Sequence, residues 1–251
     1  MQALGQRLHV LCEKPLVFTR GEFDLLKAEA QRQKRTLFPV HNWKYAPILL
    51  KLHALLRAGA IGEIRHLELH VLRSKPAAVA AAGADPSNWR TDRSRAGGGI
   101  LVDHGWHNIY LLAWLADAAP TGMQAVMQSA PHGGADEEAT CLLRFPRASA
   151  LMHLSWRSPV REQWGVAYGR EGSIELQDDR LLLARKGEPA QTFQFPQKLS
   201  AGSAHPEWFA AMLSDFRTAL ERPAAASVFL EEAGICARLI DQAYADARAA
   251  S

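Results

Sequence analysis

The sequence predicts an α+β fold in which a short parallel βαβ unit stands ahead of a large open-faced, mainly antiparallel sheet with helices on one face. Three observations carry this expectation. Within residues 8–40 a β-prone run, a helix-patterned segment and a second β-prone run follow one another with short joins. Between residues 122 and 195 come seven strand-like runs separated by tight-turn residues. Helix-patterned segments flank that block without interrupting it.

Taken in order, Leu8-His9-Val10-Leu11-Cys12 is a strand that Pro15 terminates. Thr19 caps the next helix and Glu22 completes a capping box. That helix spans about 20–34, with Phe23, Leu26 and Ala30 on one face, and Thr36–Val40 forms the second strand. Strand, helix and strand joined in this way make a parallel pair. A helix over about 46–58 ends at Gly59, and Ile61-Gly62-Glu63-Ile64 leads into a long strand reaching Arg73. There His66, Glu68 and His70 alternate with Leu67, Leu69 and Val71, as expected for a strand with one face buried. Residues 74–99, with the alanine-rich stretch 77–84, read as a loop, and a helix follows over about 102–115. The seven strands are placed at 122–129, 138–145, 149–156, 163–169, 172–177, 180–185 and 191–195. Two helices close the chain, at 206–221 and 229–247, separated by Pro223. The strand block has too few helices to cover both faces of its sheet, and a partner subunit is the usual cover for such a face.

The chain has 251 residues, 48% of them hydrophobic and 22% charged, which is ordinary globular composition and argues against disorder. The net charge is only +3 and no basic run stands out, so nucleic acid is not an expected partner. No apolar run approaches the roughly 18 residues of a membrane span, and the first residues lack a secretory core. Cys12, Cys141 and Cys236 form no metal-type pair and read as buried thiols, which fits a cytoplasmic protein without a metal site.

Two segments concentrate the chemistry. Lys14 emerges at the carboxyl end of the first strand, the edge where open α/β sheets bind ligands, and can stabilise charge developing on a substrate oxygen. The competing reading is a surface lysine paired with Glu13. Asp103 and His107 stand i, i+4 in a helix-patterned segment, where a carboxylate can hydrogen-bond an imidazole, orient it and favour its protonated form. Gly97-Gly98-Gly99 just ahead allows close backbone approach. His104 is expected to point elsewhere, and His132 and His153 read as solvated or structural. Asn42, Trp43 and Lys44 follow the second strand and offer a polar contact, an aromatic wall and a cation; a capped helix start explains Asn42 nearly as well. Trp89 and Trp106 can supply flat surfaces for a sugar ring, although most of the seven tryptophans must be core. Arg90, Arg93 and Arg95 suit an anionic substrate or simply a solvated loop.

These motifs resemble, in order and over nearly the whole chain, the Gfo/Idh/MocA family of nicotinamide-dependent sugar and cyclitol oxidoreductases. The residues that carry the resemblance are Cys12-Glu13-Lys14-Pro15, the Asn42-x-Lys44-x-x-Pro47 segment, Gly59-x-x-Gly62-Glu63, Gly97–His107, Tyr168-Gly169-x-x-Gly172-Ser173 and a closing helix near Tyr244. The resemblance implies Lys14 and His107 as the catalytic pair, Asp103 as their supporting carboxylate, and Glu13, Lys14 and Pro15 along the nicotinamide of NAD or NADP. Asn42, Trp43, Lys44, Trp89, Arg90 and Trp106 then become candidates for substrate contact. The family fold is a Rossmann domain followed by an open-faced α/β domain that usually pairs through its sheet. Residues 1–44 are accordingly expected to be a remnant of the Rossmann domain, and residues 45–251 the substrate-binding and dimerisation domain.

Three positions depart from the family pattern. Tyr110 stands where an Asp is frequent, and Lys44 replaces a commoner Arg. No Gly-x-Gly-x-x-Gly turn joins a strand to a helix, as if about 90 residues, at roughly 30 per βα unit, were missing ahead of the first strand. The expectation is therefore a truncated family member, the catalytic and substrate-binding part of an oxidoreductase acting on a sugar-like or cyclitol alcohol, or else a cofactor-less sugar-binding or subunit-pairing module of the same descent.

Overall fold

The computed structural model describes residues 1–74, 89–130, 134–202 and 205–249. The alanine-rich stretch 77–84 and His132 lie outside them. A short helix α1 (Gln2–Gly5) precedes strand β1 (Val10–Cys12), which pairs in parallel with β2 (Leu37–Pro39) across helix α2 (Arg20–Gln33). The capping box forms: Thr19 Oγ1 accepts from the Glu22 N–H at 3.2 Å, and the Glu22 carboxylate accepts from the Thr19 N–H at 3.0 Å. The Phe18 N–H also reaches Glu22, at 2.9 Å, and the Arg20 N–H reaches Asp241, at 3.1 Å. These bonds occupy most of the donors at the start of α2.

Helix α3 (Pro47–Arg57) leads to β3 (Ile64–Leu72). After a short α4 (Arg93–Ala96) and the long α5 (Trp106–Ala116) come β4 (Gly122–Ser129), β5 (Asp136–Arg144), β6 (Ser149–Ser155) and β7 (Glu162–Gly169). Strands β8 (Gly172–Gln177), β9 (Arg180–Arg185) and β10 (Gln191–Gln194) follow, then α6 (Pro206–Glu221) and α7 (Ser227–Ala249). The eight strands from β3 onward form one sheet in the order β10-β9-β8-β7-β3-β6-β5-β4.

All seven expected strands are present, but they do not form a continuous antiparallel series. Strand β3 inserts between β6 and β7, parallel to the first and antiparallel to the second, so the sheet is mixed. The insertion follows from burial: Leu67, Leu69 and Val71 of β3 join Ala150, Met152 and Leu154 of β6 and Ala167 of β7 in the core. The apolar face of α5 (Ile109, Leu111, Leu112, Leu115) and of α7 (Ala233, Cys236, Leu239, Ile240) belongs to the same buried cluster. The opposite residues of these strands, among them His66, Glu68, Thr140, Leu142, Val166 and Tyr168, lie outside that cluster. Val126 is 72% and Tyr168 49% exposed there. Cys141 and Cys236 are buried as expected, but Cys12 is only half-buried because β1 has a partner on one side alone.

The helix expected over 102–115 has a wider first turn. Residues Leu101–Gly105 form a π turn before α5 begins at Trp106. Its amino end is held by the Asp136 carboxylate, which accepts from the Gly99 N–H at 2.7 Å and the Leu101 N–H at 2.9 Å. Tyr244 donates to the same carboxylate at 2.5 Å. A Cβ on Gly99 would stand 2.0 Å from the Asp136 carbonyl oxygen, so this approach requires glycine.

Candidate active site

The site forms where the carboxyl end of β1 meets the π turn. Lys14 Nζ donates to the Asp103 carboxylate at 2.8 Å and to the Asp103 carbonyl at 2.7 Å, two contacts bridging 89 positions of sequence. The side chains are 15% and 17% exposed. Lys14 therefore does not pair with Glu13, which is exposed and only accepts from the Lys14 backbone N–H at 3.3 Å. Pro15 is half-buried beside it.

Asp103 also lies 3.7 Å from Arg90 Nε and 3.8 Å from His104 Nε2. Burial opposes its charge, but Lys14, His104 and Arg90 outweigh that and hold the carboxyl well below the usual range. His104 thus faces the site rather than pointing away from it, and burial pushes its pKa down to about 4 although Asp103 pulls the other way.

His107 does not bond to Asp103. Its Nδ1 lies 2.9 Å from the Tyr110 hydroxyl, and its Nε2 has no hydrogen-bond partner among the described residues. Trp43 stacks on the ring with centroids 4.7 Å apart, and Trp208 packs edge-on against Trp43. Burial pushes the His107 pKa well below its ordinary value, and the nearby charge of Lys14 adds to the effect. The expected Asp103–His107 hydrogen bond does not form, because the π turn directs the carboxylate to Lys14 and the imidazole to Tyr110. The Asp103 charge still favours a protonated His107, but burial and Lys14 outweigh it.

Behind this wall is a buried polar cluster that sequence reading did not assemble. The Trp106 indole N–H donates to His41 Nε2 at 3.3 Å, so His41 presents an Nδ1–H to Glu232 Oε2 at 3.0 Å. The other Glu232 oxygen accepts from Lys44 Nζ. Burial opposes the Glu232 charge, yet the His41 bond and Lys44 keep its carboxyl below the usual range. The one local signal was a glutamate set within the apolar stripe Phe229, Ala233, Cys236 and Ile240 of α7.

The other candidate substrate contacts occupy different environments. Trp106 is 1% exposed and presents its ring to the core, because its indole N–H is consumed by His41. Lys44 is buried in its ion pair with Glu232 and offers no free cation. Trp43 is buried and contributes through its stack on His107. Asn42 is half-buried, and its side chain makes no hydrogen bond among the described residues. Trp89 and Arg90 are half-buried and packed together, with the guanidinium 4.6 Å from the indole ring. Arg93 and Arg95 are exposed.

The fold and this side-chain arrangement define an α+β chain in which a lysine–carboxylate pair at the end of β1 stands near a buried histidine of α5. A sequence profile of the GFO/IDH/MocA C-terminal domain matches residues 49–175, and the chain belongs to that family. It is similar to glucose-6-phosphate 3-dehydrogenase of Bacillus subtilis, 29% identical over 47% of this chain and 33% of that protein. It is also similar to 1,5-anhydro-D-fructose reductase of Ensifer adhaerens, 26% identical over 69% of this chain and 51% of that one. Among solved structures, aldose-aldose oxidoreductase from Caulobacter crescentus, complexed with glycerol, superposes with a TM-score of 0.81 at 21% identity, covering 100% of this chain and 73% of that chain. The matched stretch spans 28% to 51% of the lengths of the curated relatives.

Proposed function

We propose that the chain is the catalytic and substrate-binding part of an NAD(P)-dependent oxidoreductase acting on a sugar-like or cyclitol alcohol. Residues 1–44 are read as a Rossmann remnant and 45–251 as the substrate-binding domain. The observation that carries this reading is the Lys14–Asp103 pair near a buried His107 whose Nε2 has no hydrogen-bond partner among the described residues. The 1,5-anhydro-D-fructose reductase relative and the Azotobacter vinelandii inositol dehydrogenase homologue, solved with NAD+, support the class of chemistry by their names.

In this reading Lys14, held by the Asp103 carboxylate and the Asp103 backbone carbonyl, donates to the substrate oxygen and stabilises charge as it develops. His107 accepts the hydroxyl proton at Nε2. The dinucleotide supplies a hydride acceptor when bound. By the family resemblance Glu13, Lys14 and Pro15 would lie along its nicotinamide end. The α2 amino end is capped by Thr19, Glu22 and Asp241, which leaves no cradle for a pyrophosphate.

Titration of the purified chain with myo-inositol and a panel of aldoses is expected to show saturable binding that weakens in Lys14→Met. At tens of millimolar NAD+ or NADP+, roughly the range that fills a weak site, slow polyol-dependent reduction of the dinucleotide is expected, abolished in Lys14→Met and His107→Asn. No polyol binding at all rejects the reading. Binding without turnover selects instead the cofactor-less sugar-binding module, which the occupied α2 amino end favours.

The open sheet face is read as the surface that pairs two copies. It carries exposed Val126, Leu142 and Tyr168, with no helix over them among the described residues. Sedimentation at micromolar concentration is expected to give a dimer, and Leu142→Lys to shift it to monomer; a monomeric, soluble wild-type chain excludes this pairing.

A further inference from the structure

Tyr110 is the residue against which His107 rests, and it is itself held from three sides. Its hydroxyl accepts from the Trp43 backbone N–H at 3.3 Å and lies 2.9 Å from His107 Nδ1. Its ring stacks on His41, with centroids 4.0 Å apart and planes 17° from parallel. His41 in turn is anchored by Trp106 and by Glu232. Tyr110 is completely buried, so its position is determined by this packing and not by solvent.

A hydroxyl has one donor and two acceptor sites, and Trp43 uses one acceptor. What remains serves either neutral tautomer of His107. If Nδ1 carries the proton it donates to the second lone pair, and Nε2 is a base. If Nδ1 is bare it accepts the Tyr110 O–H, and Nε2–H is a hydrogen-bond donor. A carboxylate in the same place could only accept, and its charge would favour imidazolium. The carboxylate nearest in sequence, Asp103, is engaged with Lys14. The ionisable groups acting on His107 are Lys14, His104, Asp103 and His41, and those acting on Tyr110 are Cys236, Glu232 and Glu13.

We infer that Tyr110 is the positioning residue of His107: its hydroxyl holds the ring by Nδ1 in the neutral form, so that Nε2 takes up the proton in alcohol oxidation and returns it in carbonyl reduction. The inference rests on the oxidoreductase reading above. In oxidation the substrate O–H bond breaks and an N–H bond forms at Nε2, giving imidazolium. The C–H electron pair leaves as hydride to an oxidised nicotinamide dinucleotide, and the carbon becomes a carbonyl. Reduction runs the same exchange backwards, with the hydroxyl accommodating both ring states.

Nitrogen-15 NMR of the histidines in the purified full chain tests this without turnover, with His107 assigned through His107→Asn. In the wild type His107 is expected to remain neutral well below the free-histidine value of ~6.5. Tyr110→Phe keeps the ring and removes only the hydroxyl; it is expected to change the tautomer ratio of His107. Tyr110→Asp is expected to raise the His107 midpoint by more than about one pH unit. If the aspartate variant does not fold, the phenylalanine variant decides. A folded Tyr110→Phe with the wild-type tautomer and titration overturns the inference. At saturating dinucleotide and polyol, Tyr110→Phe is expected to lower kcat about 10–100-fold with KM little changed. Altered His107 spectra with no turnover in the wild type would leave the positioning role standing and reject the oxidoreductase reading.

Discussion

Replacing Lys14 by methionine is expected to destabilise the chain by about 3 kcal/mol, at the lower end for breaking a buried ion pair. The substitution keeps most of the side-chain volume, so little of the loss is cavity formation. What it leaves is the Asp103 carboxylate, 17% exposed, and its carbonyl, both deprived of a donor. Arg90 at 3.7 Å and His104 at 3.8 Å compensate in part, which is why the larger values are not expected. The pH dependence has a definite sign. Lys14 is the largest influence lowering the Asp103 pKa against the opposing effect of burial, and a depressed carboxyl contributes stability above its unfolded value of ~3.9 that is lost as the pH falls through the folded value. The penalty in Lys14→Met is therefore full at neutral pH and shrinks on acidification, because protonation removes the charge that Lys14 balances. Urea unfolding of Lys14→Met, Asp103→Asn and the double variant at neutral and acid pH measures this. A single-variant loss below about 0.5 kcal/mol would mean that the pair behaves as a surface contact, and the partly buried Lys14–Asp103 pair would not hold in solution.

Titrating the chain with NAD(H) or NADP(H) is expected to give dissociation constants weaker than about 1 mM, several orders of magnitude above a Rossmann site of micromolar affinity or better. Such affinity comes largely from a pyrophosphate on a free helix amino end and from an acidic residue on the ribose. In the one parallel βαβ unit among the described residues, the backbone donors of Phe18, Thr19, Arg20 and Glu22 are already bonded to Glu22, Asp241 and Thr19. Several charge-assisted hydrogen bonds at roughly 1.5–3 kcal/mol each are thus unavailable. Calorimetry giving a micromolar constant for either dinucleotide would show that other residues hold the phosphates.

Local features of the sequence determined the elements. The alternation of His66, Glu68 and His70 with Leu67, Leu69 and Val71 defines which face of β3 is buried, and Thr19 with Glu22 defines where α2 begins. The turn residues between 122 and 195 locate the seven strands to within a few positions, because chain reversal demands particular backbone conformations whatever lies around it. The glycine run ahead of Asp103 likewise marked a close approach, although not that its partner would be Asp136.

What only the tertiary structure decided is which elements and side chains meet. The insertion of β3 between β6 and β7 has no local signature, since a buried strand is equally satisfied by any neighbour with a matching apolar face. Asp103 and His107 have the spacing of a hydrogen-bonded pair, yet the π turn anchored by Asp136 sends one to Lys14 and the other to Tyr110. Trp106 bonds to His41, and Lys44 pairs with Glu232, which lies 188 positions away. Helix and strand preferences act over a few residues, whereas the partner of a buried charge is selected by whatever the packed core brings within hydrogen-bonding distance.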